Sequence, residues 1–276
     1  MRALTNYLGT FFAVCFLAVS SAAAADRVKL EAFLEVTGFD VALESIKLSA
    51  RSAPQMLGVD AQDFGSEWKR LTDRVFDVDK MHDMALDILG QTLTDDMLSH
   101  AADFYASDLG QRLVAAENAS HMTEDDTVKD ESGTAILAAL RSIQSTRVGH
   151  YERMNAASDS AGTAVRALQE IQVRFLMAAA GAGVIELRMD EEDMRAALAS
   201  GEKELRATLK ENGLEGAAYT YQSFSDDEVL EYTEALEHPV MRRVYDLMNA
   251  VQFEIMANRF EALAAAMASL QPSQEL

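Results

Sequence analysis

Two stretches of the chain, Thr94 to Leu113 and Ser225 to Val244, place apolar residues at the same intervals and break at the same point. In the first, Leu98, Ala101, Ala102 and Tyr105 stand at i, i+3, i+4 and i+7. After a break, Leu109, Leu113 and Ala116 stand at i, i+4 and i+7. The counterparts, at the constant offset that carries Asp95 to Asp226, are Val229, Tyr232, Thr233 and Leu236, then Val240, Val244 and Leu247. This spacing puts one buried stripe on each of two α-helices. A strand, with its period of two, would scatter the same residues over both faces.

The polar residues agree with that reading. Thr94 and Ser225 are helix N-caps, whose hydroxyls can accept a backbone N–H. Asp95-Asp96 and Asp226-Asp227 follow them, where the helix dipole favours carboxylates. Ser225 with Glu228 forms a capping box. At the break, Ser107-Asp108 can open a new helix. His238-Pro239 does the same in the second stretch, with Pro239 at the first helical position, where its missing N–H costs nothing. Arg112 also aligns with Arg243. The pair therefore reads as a duplicated helix-break-helix unit.

The rest of the chain points the same way. Only three prolines occur in 276 residues, and Ala, Leu, Met, Glu, Arg and Gln, the strong helix formers, dominate. The best strand-like run, Ala217 to Phe224, has no evident partner. The expected fold is all-α and bundle-like, with two related helical halves, 26–150 and 151–276. Caps and periodicity predict helices over Arg27 to Val36, Phe39 to Arg51, Asp63 to Phe76 and Asp79 to Leu89. Others are predicted from near Thr123, interrupted at Gly133, and over Ser160 to Ala180, Asp190 to Glu211 and Pro239 to about Leu270. Trp68 reads as a half-buried anchor.

The start of the chain, "MRALTNYLGTFFAVCFLAVSSAAAAD", has an early Arg, a short apolar centre and small residues in an A-x-A pattern. Residues 1–25 thus read as a cleaved secretory signal peptide. The apolar centre is well short of the roughly 20 residues a membrane-crossing helix needs. Cys15 is the sole cysteine and lies inside that segment, so residues 26–276 can form no disulfide, thiolate nucleophile or cysteine metal site. Stability must come from the core, and about 250 residues can bury a sizeable one.

Net charge is −21, and loss of Arg2 makes it one unit more negative. Such a surface repels phosphate backbones and anionic headgroups. Nucleic acid is excluded as a partner, and stable membrane insertion after leader cleavage is not expected. The expected location is the bacterial periplasm.

The run "FYASDLGQRL", Phe104 to Leu113, resembles the hallmark F-Y-x-S-P-x-G-x-x-L of a bacterial envelope family, the domain-of-unknown-function family twenty-fifty-nine. Phe104, Tyr105, Ser107, Gly110 and Leu113 are in place, and Asp108 stands where that family usually has Pro. The second stretch keeps Pro239 but carries Met241 in place of Gly. The resemblance implies an exported helical protein and brings no catalytic residue with it.

Some residues carry chemistry as well as structure. Asp96, His100 and Asp103 share one helical face at i, i+4 and i+7, a spacing that can hold a divalent ion. Glu117/His121 and Glu234/His238 are i, i+4 pairs. Neither H-E-x-x-H nor the E-x-x-H of carboxylate-bridged di-iron bundles occurs, and solvated helix faces account for the pairs. Met81, His82 and Met84 could bind copper, but adaptable core packing accounts for the methionines. A Met-rich face on Val244 to Phe260 could hold a peptide. No G-x-S-x-G or phosphate loop appears. The expected function is a non-enzymatic envelope binding module for another protein or an apolar ligand, without a cofactor. The alternative is a metal-dependent or metal-handling periplasmic protein using Asp96, His100 and Asp103.

Overall fold

A computed structural model describes residues 27–50, 53–56, 65–123, 126–159 and 162–269. The leader and the expected helix ends at Arg51, Asp63, Ser160 and Leu270 lie outside those residues. The described residues form helices and no β-strand: α1 (Arg27–Thr37), α2 (Phe39–Ser49), α3 (Ala53–Met56), α4 (Gly65–Val75), α5 (Val78–Thr92), α6 (Asp95–Tyr105), α7 (Asp108–His121), α8 (Asp126–Ser142), α9 (Thr146–Ser158), α10 (Ala164–Gly181), α11 (Glu191–Ser200), α12 (Glu202–Thr220), α13 (Asp226–Glu237) and α14 (Pro239–Met267). The all-α, bundle-like expectation is met.

Helix α14 is the spine. It runs 29 residues and packs against α4, α5, α6, α9, α10 and α13. Such coverage requires apolar residues around much of its circumference, and Met241, Val244, Met248, Val251, Ile255, Phe260 and Leu263 are all buried. The Met-rich face of Val244 to Phe260 is therefore largely interior. A buried apolar cluster joins Leu30 of α1 to Met267 of α14.

Both helix-break-helix stretches form as their caps dictate. Thr94 accepts from the Met97 backbone N–H, and Ser107 Oγ accepts from Gly110 N–H at 3.0 Å. Ser225 and Glu228 make the full capping box, and Pro239 opens α14. Leu98, Tyr105, Leu113, Val229, Tyr232, Leu236 and Val244 are buried. The two stretches meet each other. Phe104 stacks on Tyr232 with ring centroids 5.8 Å apart, and Arg112 reaches Glu228 at 2.7 Å.

The motif glycine has a steric reason. A Cβ on Gly110 would lie 2.3 Å from the Phe104 carbonyl oxygen and 2.6 Å from the Tyr105 Cα. The first turn of α7 can fold back onto the end of α6 only without a side chain there.

Several expectations need correction. Gly133 does not interrupt α8. Its missing Cβ lets the Glu215 carbonyl of α12 approach to where a Cβ would sit at 2.4 Å, and tertiary packing overrides propensity. The helix expected over Asp190 to Glu211 is two helices divided at Gly201, and "NG" at 212–213 does not stop α12, which continues to Thr220. Ala217 to Thr220 is thus helical, not strand-like. Helix α9 has no counterpart among the expected helices. It opens on a Ser145 cap, and its stripe of Arg147, Tyr151, Met154 and Ala157 hides an arginine among apolar residues. Trp68 is more deeply buried than an anchor at the surface.

Candidate functional site

The stripe of α7 contains one residue that does not belong in a core. Leu113 is followed at i+4 by Glu117 and at i+7 by Ser120, both on the inward face. Burial raises the pKa of the Glu117 carboxyl above the ordinary 4.5, while hydrogen bonds from Tyr221 and Tyr232 pull it back. Tyr221, where α12 ends, donates to Glu117 Oε1 at 2.7 Å. Tyr232 of α13 donates to the same oxygen at 2.8 Å. A buried carboxylate requires such partners.

Two more phenols stand behind these. Tyr232 and Tyr245 hydroxyls lie 3.0 Å apart, Tyr105 and Tyr232 hydroxyls 3.2 Å apart, and Tyr105 also contacts Tyr245. Each phenol has one proton. Tyr232 spends its proton on Glu117, so it can only accept from Tyr105 or Tyr245. Two protons remain for three contacts, and at most two of those contacts are hydrogen bonds at once. The protons run from Tyr105 and Tyr245 through Tyr232 to Glu117. Burial first, then neighbouring phenols and Glu117, hold Tyr105, Tyr221 and Tyr232 far above ordinary phenol values. Tyr245 shifts the same way. All four remain donors at any physiological pH.

Glu117, Tyr232 and Tyr245 line a partly open cavity of about 340 Å³ between α2, α7, α8, α9, α12, α13 and α14, within the usual range for small-ligand pockets. Asn118, Asn155, Asn249 and Gln252 bring carboxamides to the wall, and Phe39, Met154 and Leu236 bring apolar surface. Lys129 and His121 also line it. Lys129 Nζ donates to the Ser120 carbonyl at 3.4 Å. Desolvation, and then the Lys129 charge, push the His121 imidazole below its ordinary 6.5, so it is neutral at pH 7. The cavity thus offers a carboxylate, an ammonium, carboxamides and an apolar patch.

The residues singled out from sequence divide between this site and its supports. Tyr105 joins the phenol network. Ser107, Gly110 and Leu113 set the start of α7 and so aim Glu117. Thr94, Ser225, Pro239 and Val244 fix the helices carrying Tyr105, Tyr232 and Tyr245. Phe104 lies against Tyr232. Asp96 and Asp103 are exposed on α6. His100 leaves them to stack on His238, ring centroids 4.2 Å apart, and burial, then the His238 charge, lower its pKa. Among the described residues no group of three or more His, Cys, Asp and Glu side chains is placed to hold a metal ion.

Sequence reasoning did not find Glu117, Tyr221 or Tyr245 as site residues, since Glu117/His121 read as a solvated pair. The signal available was Glu117 at i+4 from Leu113, inside the apolar register, with tyrosines at stripe positions of other helices.

Fold and pocket together define an all-helical protein with a carboxylate-lined inter-helix cavity. Residues 79–139 match the model of a family described as an uncharacterized protein conserved in bacteria (DUF2059), the family indicated by the Phe104 to Leu113 motif. That segment runs from α5 to α8 and includes Glu117. No curated protein and no solved structure matches the chain. No described helix is long and apolar enough to cross a membrane.

Proposed function

We propose that this chain is a non-enzymatic exported binding module that holds a small ligand with a polar head between its helices. The observation that carries this reading is the cavity against Glu117, whose Oε1 takes both phenol hydrogen bonds. Oε2 receives none from a described residue. At the wall of this partly open cavity, that oxygen keeps its lone pairs for a donor from a bound ligand.

The reading narrows the sequence expectation of an apolar ligand or partner protein. The apolar patch remains, but the charged and carboxamide wall favours a ligand with a polar end. Export rests on the leader-like residues 1–25 and on the bacterial family matched by 79–139. The two helix-break-helix stretches are, on this reading, copies of one unit. Their Tyr105 and Tyr232 hydroxyls converge on one network.

Thermal shift against a panel of small polar metabolites tests the pocket. Gly216 lines it, and a Cβ there would meet nothing within 4 Å. Gly216→Leu should therefore add bulk at the cavity wall without disturbing the fold. A ligand that raises the wild-type melting temperature should leave this variant unmoved. Equal shifts in both proteins would sink the proposal.

A further inference from the structure

If the cavity against Glu117 is a binding site, as proposed above, its walls also select a class of ligand. Three observations bear on the class. First, the phenol protons are spent within the network: two go to Glu117 Oε1, and those of Tyr105 and Tyr245 go to the remaining phenol contacts. A ligand acceptor placed beside Glu117 finds no donor there. A ligand ammonium brings three donors and meets Oε2 together with phenolic oxygens, which have spare lone pairs. Second, Glu117 is partly withdrawn from water, burial being the largest influence on its carboxyl, so an opposite charge is attracted more strongly than at an open surface. Third, Lys129 Nζ sits on the Ser120 carbonyl, three residues along α7 from Glu117, about 4.5 Å of helix rise. A ligand with a second cationic end would be repelled there. A simple carboxylic acid would be repelled by Glu117.

We infer that the pocket takes a small zwitterion, its ammonium held by Glu117 and its anionic group facing Lys129. Asn118, Asn155 and Gln252 line the same cavity and can accept or donate along the ligand's length. The chain's net charge of −21 adds a field that favours approach of the ammonium end first.

The test is calorimetric titration of the purified protein with ω-amino acids of three to six carbons, with butylamine and butyrate as single-charge probes. At least one amino acid should bind, and both single-charge probes should bind tenfold or more weakly than it. Glu117→Gln should weaken the amino acid at least tenfold. Lys129→Met should weaken the amino acid and leave butylamine binding at least as tight as before, and it serves as the decisive variant should Glu117→Gln fail to fold. Butyrate or an uncharged aliphatic ligand binding as tightly as every amino acid would overturn the inference, as would no binding by any amino acid. The pocket reading fails separately. If another ligand class shifts wild type but not Gly216→Leu, the cavity is a site and only its assigned class is wrong.

Discussion

At the scale of single residues, Glu117 decides how stability depends on pH. Its folded pKa lies above its unfolded one, because burial outweighs the two phenol hydrogen bonds. Such a group contributes stability that is fully present below the unfolded pKa and is lost as pH rises through the folded value. Urea midpoints of the wild type should therefore fall, relative to those of Glu117→Gln, as pH rises from about 4.5 toward neutrality. A constant difference between the two proteins across that range would show that Glu117 is not desolvated. Tyr232 is the residue through which Tyr105 and Tyr245 reach the carboxylate, while Tyr221 donates to it directly and packs its ring against Tyr232. Tyr232→Phe removes one donor from the Glu117 carboxylate and leaves one of Tyr105 and Tyr245 without an acceptor, since each can still accept from the other. The expected cost is about 1–3 kcal/mol by chemical denaturation.

At the scale of helices, the caps and the break carry the fold. Ser107→Ala and Ser225→Ala should each cost about 1 kcal/mol. The latter should cost more if the capping box acts as a unit, since Glu228 also holds Arg112. Gly110→Ala is a harsher change, because the added methyl meets backbone at 2.3 Å, and backbone cannot rotate away as a side chain does. Overpacking of this kind costs about 1–3 kcal/mol. Thermal melts of the two alanine variants side by side check the order: Gly110→Ala should melt below Ser107→Ala. The second stretch carries Met241 at the corresponding position, where its side chain is almost fully buried.

Across the whole molecule, α14 and the buried cluster from Leu30 to Met267 tie both ends of the described chain into one packed interior. Far-ultraviolet and aromatic circular dichroism should therefore lose signal in a single coincident transition. Prior treatment with a chelator should leave that transition unmoved. Separate transitions for helix content and aromatic packing would mean that part of the cluster unfolds alone. Ion pairs add little to this picture. Arg174 with Glu254 and Glu261 and Arg141 with Glu211 bridge helices at the surface, where such pairs contribute about 0–1 kcal/mol each.

What the sequence determined by itself was local. Apolar spacing, N-caps and scarce proline set helix type, and they placed the starts of α6, α7, α13 and α14 at Asp95, Asp108, Asp226 and Pro239, because caps act through hydrogen bonds three residues away. The family resemblance carried by Phe104 to Leu113 was legible largely for the same reason, Tyr105, Ser107, Gly110 and Leu113 each serving a turn or a stripe within ten positions. Tertiary structure decided the rest. It kept α8 straight through Gly133, since the benefit lies in the Glu215 backbone of another helix. It also turned Glu117 from half of a surface pair with His121 into the charge at a pocket wall. Its hydrogen-bond donors come from 104 and 115 residues further along the chain, and no local spacing encodes that meeting. A helix face shows which side turns inward, but only the packing of α7 against α12, α13 and α14 shows which groups wait there.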